Sequence, residues 1–470
     1  MLSPPIPSTL DDIAAVLELA VSRGAQFAEI FLESTSVRTI RCEEGRLEKI
    51  ESGVDTGFGL RLVAGEQTAY GYATDTQRES MLRAVDAVAA DLGASSAGRS
   101  TQPRDLHRAA PEPRERPAED AGLDETAALV READAAARAA GPEITQVKIL
   151  YADSLRRVLV CNSEGVAVTE DRPQVLLSVR AVASDGSVLQ TAARSSGGRR
   201  GLEHLDPDTV RALAADAGES AIRILRSPHA PAGRMTVVLA GKAGGTMIHE
   251  AIGHGLEGDA AMKDLSIYSG RLGEKVASEL VTVIDDATIE GARGSYRFDD
   301  EGTPAQRTVA VENGVLRAFL LDRRSGARMG MPSTGNGRRE DFRHRPIVRM
   351  SNTMIAPGGH DPGEILASIP RGLYVVRMGG GQVDTSSGDF VFNVSEAYLI
   401  ENGAVAGPVR GATLIGNGPS VLAAMDMVGS DLGFDIGTCG KEGQHVPVSD
   451  AQPTVRIPEI TVGGEVQADG

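Results

Sequence analysis

The spacing of apolar and polar residues divides the first half of the chain into short helices and strands. Apolar positions recur at helical spacing from Ser8 to Arg23, which predicts a capped amphipathic helix. From Gln26 to about Thr74 short alternating segments separated by glycines predict a meander of strands. The same patterns predict further helices at 78–91, 125–140 and 206–225, and strands near 146–151, 157–161, 166–170 and 174–183.

Strand-like alternation dominates the second half. A buried strand is predicted over 234–240, a glycine turn over 241–245 and a helix beginning at Thr246. Asn313-Gly314 and Asn402-Gly403 carry the signal of tight hairpins. Further strands are predicted at 280–285, 308–312, 315–321, 374–379 and 389–401. This half is therefore expected to form a curved, largely antiparallel sheet.

These patterns predict an α+β protein with two domains. A chain of 470 residues is too long to be expected around a single core. Residues 1–228 are predicted to form an N-terminal α/β domain with a strand meander and helices. Residues 229–470 are predicted to form a β-rich catalytic domain carrying a metal-binding helix. Within the first, residues 94–121 are rich in Pro, Ala and charge and are predicted to be a flexible loop or linker.

Composition excludes several classes of function. The formal net charge of −17 opposes binding to nucleic acids and anionic membrane surfaces, and no Trp with 3% aromatic residues leaves little surface for base stacking. No apolar run approaches the ~20 residues that cross a bilayer, and the N-terminus lacks signal-peptide features. Three cysteines, an odd number, fit a reducing compartment. We therefore expect a soluble, cytoplasmic protein.

The stretch HEAIGH at residues 249–254 predicts a metal site. It brings two imidazoles and a carboxylate together, as in zinc hydrolases, and arises by chance with a probability on the order of one in a hundred. The second histidine follows at i+5 instead of the i+4 of HExxH, so an ordinary helix would turn the rings about 140° apart. A π-bulge restores a common face. We therefore predict a π-helical turn between His249 and His254, eased by Gly253.

A third ligand must come from elsewhere, because catalytic zinc usually has three protein ligands and one open position. Cys42 and Cys161 lie in strand-like runs, where a thiol is by default a small buried hydrophobe. Cys439 lies in a glycine-rich segment, with Lys441 expected to favour its thiolate. The alternatives are Glu257 and Asp259, which can equally be hydrogen-bond partners behind a ligand or ordinary loop acids. Spacing alone does not choose among these candidates.

Five segments resemble one known family. They are HEAIGHGLEGD from residue 249, MGMPSTGNGRRE (329–340), GGGQVDTSSGDFVFNVSEAYLI (379–400), RGATLIGNGP (410–419) and TCGKEGQ (438–444). Together they resemble the TldD/PmbA family of metallopeptidases, on its TldD side. The resemblance implies a peptidase for unfolded or leaderless peptides that works in an enclosed cavity between paired subunits. The pair would be a homodimer or a heterodimer with a PmbA-like subunit.

The resemblance also implies a set of site residues. His249, His254 and Cys439 would bind Zn²⁺, and Glu250 would be the catalytic acid/base. In that role Glu250 accepts a proton from the attacking water and passes it to the leaving amine. One departure from the family pattern is His445, which stands where a small polar residue is expected. It either joins the site or faces solvent.

Substrate contacts are predicted at two further places. Gly379, Gly380 and Gly381 would allow a peptide backbone to approach closely, or would form a hinge. The cluster of Arg338, Arg339, Arg343, His344 and Arg345 is either a solvated face or, through Arg338, a grip on a peptide carboxylate or a partner subunit. Tyr268 or Tyr296 is a candidate to hydrogen-bond the oxyanion, with packing as the alternative role.

Two other functional classes stay open from the sequence. The first is a thiol peptidase with Cys439 as nucleophile and His445 or a distant histidine as base. The second is a non-catalytic subunit that shapes a partner's cavity, against which the paired histidines argue.

Overall fold

The computed structural model describes residues 9–92, 100–101 and 105–464. Within these ranges the first half forms a seven-stranded sheet with four α-helices. Its strands are β1 (Phe27–Glu43), β2 (Arg46–Ala64), β3 (Gln67–Ala73), β4 (His107–Arg108), β5 (Ile144–Asn162), β6 (Ala167–Ser184) and β7 (Leu189–Gly198). Its helices are α1 (Leu10–Ser22), α2 (Arg78–Ala89), α3 (Leu123–Arg138) and α4 (Pro207–Leu225).

The strands of this sheet run in the order β3-β2-β1-β5-β6-β4, and β7 also pairs with β6. All pairings are antiparallel except that of β4 with β6. Helices α1 and α2 cover one apolar part of the sheet, and α3 and α4 cover another. An antiparallel sheet with helices packed against it is an α+β arrangement, which confirms the predicted fold class.

Two strands of the first half are longer than predicted. The sequence breaks expected near residues 152–156 and 171–173 do not occur, and β5 and β6 form one long hairpin. The polar residues that suggested the breaks have partners on the sheet: Asp153 pairs with Arg38 at 2.7 Å and Arg156 pairs with Glu33 at 3.1 Å. Part of the predicted flexible loop, residues 94–99 and 102–104, lies outside the described residues.

The second half consists of strands around a short irregular helix. Its strands are β8 (Gly233–Leu239), β9 (Val283–Asp286), β10 (Arg307–Glu312), β11 (Val315–Leu316), β12 (Gly337–Arg338), β13 (Ile347–Val348), β14 (Asn352–Ile355), β15 (Arg371–Val383), β16 (Asp389–Glu401), β17 (Ala404–Val409), β18 (Thr413–Asn417), β19 (Met427–Val428), β20 (Gly433–Lys441), β21 (Gln444–Gln452) and β22 (Val455–Gly463). Its helices are α5 (Thr246–Ile248), α6 (Gly258–Ala261), α7 (Arg323–Met329), α8 (Pro362–Ala367) and α9 (Gly418–Ala424).

Two sheets of the second half frame the site. One has the order β11-β10-β9-β14-β21-β20, which leaves β20 at its edge. In the other, the pairings of β15, β8, β22, β18 and β16 close into a ring. Most pairings are antiparallel, as predicted, and both Asn-Gly hairpins are confirmed. Asn313 and Gly314, like Asn402 and Gly403, have positive φ angles, which the predicted hairpin turns require.

Buried ion pairs join the two halves. Arg339 is fully buried, pairs with Glu29 of β1 at 2.5 Å and lies over the ring of Phe31. Arg61 of β2 pairs with both Glu29 and Glu301 at 2.7 Å. Each charge is offset by a partner on the other half of the chain, so this network depends on the two halves being packed together.

Replacing Arg339 by Met should destabilise the protein by about 3–5 kcal/mol, because it leaves excess negative charge buried at Glu29 and Glu301. Denaturant-induced unfolding monitored by circular dichroism measures the change. Arg23→Met is the control, since Arg23 and its partner Asp86 are both about half exposed and such pairs contribute less than about 1 kcal/mol. Equal effects of the two substitutions would contradict the importance of the buried network.

Among the described residues, no helix is both long enough and apolar enough to cross a membrane.

Candidate metal centre

The local sequence folds the HEAIGH segment into an irregular helix. The apolar strand β8 leads into a glycine turn, where Gly244 has φ +73° and lies against Asp435. Helix α5 follows, then a π-helical turn over His249–Gly253 and a single 3₁₀ turn over His254–Leu256. The predicted π-helical turn is therefore confirmed. Gly253 has an ordinary helical φ of −55°, so the backbone does not require glycine there. A Cβ atom at this position would lie 2.2 Å from the Met350 sulfur, so the need is for space.

Three potential ligands converge on one point. The Nε2 atom of His249 lies 3.1 Å from the Cys439 sulfur, and the Nε2 atom of His254 lies 3.6 Å from it. All three ligand atoms lie within 4.8 Å of one another. The glycines around Cys439 had suggested a loop. The structure instead places Cys439 in the edge strand β20. The cluster thus joins an irregular helical turn to a sheet edge about 190 residues away.

A carboxylate lies behind each histidine ring. Asp450 on β21 accepts from Nδ1 of His249 at 2.8 Å, and Glu257 accepts from Nδ1 of His254 at 2.9 Å. These contacts leave both Nε2 atoms facing the sulfur and fix the rings. Glu257 is therefore a hydrogen-bond partner of His254 and not one of the three groups that converge at the sulfur. Nothing in the sequence pattern marked Asp450, a single acid in the strand V-P-V-S-D-A.

Lys441 extends this arrangement. Its ammonium donates to Glu257 at 3.1 Å and to Asp259 at 2.7 Å. Burial raises the pKa of Glu257, but Lys441 and His254 outweigh it and lower that pKa to about 2. Lys441 was predicted to favour the Cys439 thiolate directly. Its charge is instead engaged by the two carboxylates, and the histidines supply the positive charge next to the sulfur.

The three converging groups shift one another's protonation. Burial raises the pKa of Cys439, but the two histidines outweigh it and lower that pKa to about 5. Burial lowers the pKa of His254, yet Glu257 outweighs it and raises that pKa to about 9. For His249, burial also lowers the pKa, but Asp450 raises it well above its usual value. The two rings and the sulfur thus favour one another's charged forms.

Glu250 lies next to this cluster. Its carboxylate oxygen is 4.0 Å from Nε2 of His254, and the side chain is about a quarter exposed. Burial raises its pKa, and the neighbouring histidines only partly oppose this effect. A carboxylate that is partly desolvated and has a raised pKa beside a metal site has the properties of a general base.

His445, Tyr268 and Tyr296 are not among the three converging ligand residues. The His445 side chain is 64% exposed and faces Glu340, so it faces solvent and does not join the site. The Tyr296 hydroxyl donates to the Gly335 carbonyl, and Tyr268 is fully buried in the apolar core. The buried Tyr268 hydroxyl has no hydrogen-bond partner among the described residues, and an oxyanion contact of either tyrosine stays a prediction.

The glycine run lies within strand β15 and does not form a hinge between elements. Gly381 lies under the ring of Phe392, since a Cβ there would be 1.9 Å from a ring carbon. Gly380 has nothing within 4 Å of a Cβ position, so its backbone is accessible. Contact of Gly379, Gly380 or Gly381 with a substrate stays a prediction.

Part of the basic cluster is buried and part of it is exposed. Arg338 and Arg339 are buried, and Arg338 donates to the carbonyls of Met350 at 2.5 Å and Pro447 at 2.7 Å. Arg343 pairs with Asp55 and Asp341. The expectation of a solvated face is wrong for Arg338 and Arg339, whose partners Pro447 and Glu29 are distant in sequence, whereas the Arg345 side chain is half exposed. A grip of Arg338 on a carboxylate stays a prediction.

Comparison with known proteins supplies independent information. Models described as PmbA/TldA metallopeptidase domain 1, central domain and C-terminal domain match residues 28–91, 116–225 and 232–464. The predicted division at 228/229 falls between the second and third of these ranges and stays a prediction.

Two relatives and one solved structure illustrate the similarity. A metalloprotease TldD homolog of Haemophilus influenzae is 37% identical, with 96% of this chain and 95% of that protein covered. A zinc metalloprotease TldD homolog of Saccharolobus solfataricus is 31% identical, over 69% of this chain and 73% of that protein. The crystal structure of TldE from Thermococcus kodakarensis has a TM-score of 0.76 at 18% identity, covering 96% of this chain and all of that one. At that identity the last similarity concerns the fold alone.

Proposed function

The chain belongs to the TldD/PmbA family of metallopeptidases, and from this we propose that it is a zinc-dependent peptidase whose ion is held by His249, His254 and Cys439. The observation that carries the proposal is the convergence of the three ligand atoms within 4.8 Å. Two imidazoles and a thiolate are a donor set suited to zinc, and three protein ligands leave a fourth position open.

The distances fit a shared ion. With Zn–S near 2.3 Å and Zn–N near 2.0–2.1 Å, tetrahedral geometry separates sulfur and nitrogen by about 3.6 Å. The two sulfur–nitrogen distances here are 3.1 and 3.6 Å, close to that separation. One relative is named a zinc metalloprotease, which supports the same metal.

Glu250 is proposed as the general acid/base. Zinc, when bound, polarises a scissile carbonyl and lowers the pKa of a water from about 15.7 to near 7. Glu250 then accepts the water proton and returns it to the leaving amine. Its proximity to His254 and its raised pKa support this role, because a base works best when its pKa is not far below the operating pH.

Asp450 is expected to orient His249. Replacing Asp450 by Asn removes the negative charge behind the ring and should reduce zinc affinity about 10–100-fold. Titration against a competing chelator measures the change. Asp435→Asn is the matched control, because Asp435 lies opposite Asp450 in the β20–β21 pair but is not hydrogen-bonded to either histidine. Unchanged zinc affinity in Asp450→Asn would contradict the orienting role.

The number of protons released when one zinc ion binds should report the charges of the three ligands. The raised pKa values of His249 and His254 favour protonated rings, which must lose a proton to bind zinc, whereas the lowered pKa of Cys439 favours a thiolate that need not. We expect roughly two protons to be released per zinc, and affinity to rise with pH up to about 9. Calorimetry in buffers of different ionisation enthalpy counts the protons. Side chains with ordinary pKa values would release about 1.5 protons per zinc at pH 7, mostly from the thiol, so a value at or below about 1.5 would contradict the charge arrangement.

The proposed substrate is an unfolded peptide that is bound through its backbone, without sequence-specific side-chain contacts. Cys439 lies on β20, an edge strand, and an edge strand can pair with an extended peptide through backbone groups. Such pairing would bring a peptide bond next to the metal. The accessible backbone at Gly380 is proposed as a further contact.

Paired subunits in a reducing compartment complete the proposal. We propose a homodimer or a heterodimer with a PmbA-like subunit around an enclosed cavity, and membership of the TldD/PmbA family supports a partner of the same family. The three cysteines are free and buried, which fits a cytoplasmic setting where Cys439 stays reduced. Sedimentation velocity of the purified chain, alone and mixed with a PmbA-like protein, tests the pairing.

A thiol peptidase is the second candidate, because Cys439, His249 and Asp450 also form a nucleophile–base–carboxylate line. Treatment with 1,10-phenanthroline distinguishes the two functions on an unstructured peptide substrate. The zinc peptidase should lose activity and regain it when zinc is restored. Activity that survives complete zinc removal would favour the thiol mechanism.

A further inference from the structure

A cavity lies on the other side of the strand that carries Cys439. Its volume is about 480 Å³, it is partly open to solvent, and residues of both the N-terminal sheet and the second half of the chain line it. Its lining includes Gln174, Arg293, Tyr296, Arg338 and Thr438. Because side chains alternate along a strand, Thr438 faces this cavity and Cys439 faces the histidines. The cavity and the metal centre are therefore separated by one strand.

The carboxylates that line the cavity contact other basic side chains. Asp300 pairs with Arg172 at 2.5 Å, and Glu33 pairs with Arg156 at 3.1 Å. Asp153 pairs with Arg38, Asp55 and Asp341 share Arg343, and Glu340 lies beside His445. In the described part of the chain, none of these acids forms an ion pair with Arg293 or Arg338.

Two arginines of the lining have no carboxylate partner within the described part of the chain. Arg338 is 6% exposed, contacts only carbonyl oxygens through its hydrogen bonds and lies over the Tyr296 ring. Arg293 donates to the Gly437 carbonyl at 3.2 Å and to the Gln174 side chain at 3.3 Å. Burial and the charge of Arg338 both lower the pKa of Arg293, as expected for two cations that repel each other in a desolvated place.

We propose that this cavity binds a carboxylate between Arg293 and Arg338, and that the carboxylate is the C-terminus of a peptide. An anion offsets the repulsion between two desolvated cations, and the planar guanidinium group matches a carboxylate in shape. A volume of about 480 Å³ is large enough for the terminal residues of a chain.

The position of the cavity indicates why the ligand is a peptide. It adjoins Thr438, one residue from Cys439, and β20 is an edge strand that a peptide can pass around. The assignment to a peptide rests on the proposed function, whereas binding of a carboxylate does not. The sequence did not indicate Arg293, since it is an isolated arginine in the stretch G-A-R-G-S.

Isothermal titration with acetyl-trialanine, as free acid and as C-terminal amide, tests the proposal. The full-length, zinc-loaded Glu250→Gln protein is used so that no peptide is cleaved. We expect the free acid to bind at least tenfold more tightly than the amide. The preference should disappear in Arg293→Gln and persist in Arg297→Gln, since Arg297 has Glu112 as its partner and does not line the cavity. Arg293→Lys retains the charge and should keep part of the preference.

Equal binding of acid and amide, or a preference that survives Arg293→Gln, would overturn the carboxylate site. An amidated peptide with an internal Asp separates the two sources of a carboxylate. If it binds as tightly as the free acid, the C-terminal assignment is wrong. Repeating the titration after zinc removal keeps the two proposals apart, because the preference should persist without zinc whether or not the protein is a zinc peptidase.

Discussion

The Glu250→Gln protein is expected to retain zinc and to lose peptidase activity, with kcat/KM reduced by about 10²–10⁴-fold. Glutamine has nearly the same shape as glutamate but does not accept the proton of the attacking water, and positioned acid/base groups contribute rate factors of this size. Glu250 is not among the three converging ligand atoms, so zinc content should be unchanged. Cleavage of an unstructured fluorogenic peptide and elemental analysis of the same preparation measure both quantities.

The exposed Glu279, on the segment after the metal helix, is the control for this substitution. Glu279→Gln should leave both activity and zinc content unchanged. If Glu250→Gln keeps activity within about tenfold of the wild type, a different group is the base. If it loses zinc, Glu250 contributes to the ligand set and the roles proposed above must be reassigned.

Cys439→Ala is expected to abolish activity and to lower zinc affinity by more than roughly 100-fold. A loss of about 100-fold is the most that is expected when a carboxylate behind a ligand is replaced, and Cys439 is proposed to be a ligand itself. The substitution removes the one anionic ligand and leaves two histidines whose raised pKa values favour protonation over metal binding. Because zinc binds the folded protein, the stabilisation against heat that zinc gives the wild type should also disappear. Chelator competition and thermal unfolding with and without zinc measure these effects.

Cys161→Ala provides a matched control. Cys161 is also a buried free thiol, but it lies in the N-terminal sheet, where burial raises its pKa to about 12. Its replacement should leave zinc affinity unchanged. A Cys439→Ala protein that binds zinc as tightly as the Cys161→Ala protein would show that the sulfur is not a ligand.

Features set by local geometry were predictable from the sequence. The i+5 spacing of His249 and His254 required the π-helical turn, because no regular α-helix brings such positions to one face. The two hairpins at the Asn-Gly pairs were predictable for a local reason as well, because Asn and Gly tolerate the positive φ angles that such turns require.

Features that depend on long-range contacts were not predictable from spacing. Cys439 was selected over Glu257 and Asp259 only through family resemblance, since about 190 residues separate it from His249. Arg339 was mistaken for a surface residue because its partner Glu29 is 310 residues away. The sequence around a charged residue does not indicate whether a residue of opposite charge will lie next to it in the folded protein, so its burial cannot be predicted.

X-ray absorption at the zinc edge of the purified protein is the measurement that tests the shared ion most directly. The ligand set His249, His254 and Cys439 predicts one sulfur scatterer near 2.3 Å and two imidazole nitrogens near 2.0–2.1 Å, with the remaining position taken by oxygen. The sulfur signal should vanish in Cys439→Ala and persist in Cys161→Ala. A zinc-loaded wild-type protein without a sulfur scatterer, or one that binds no zinc at all, would contradict the central claim.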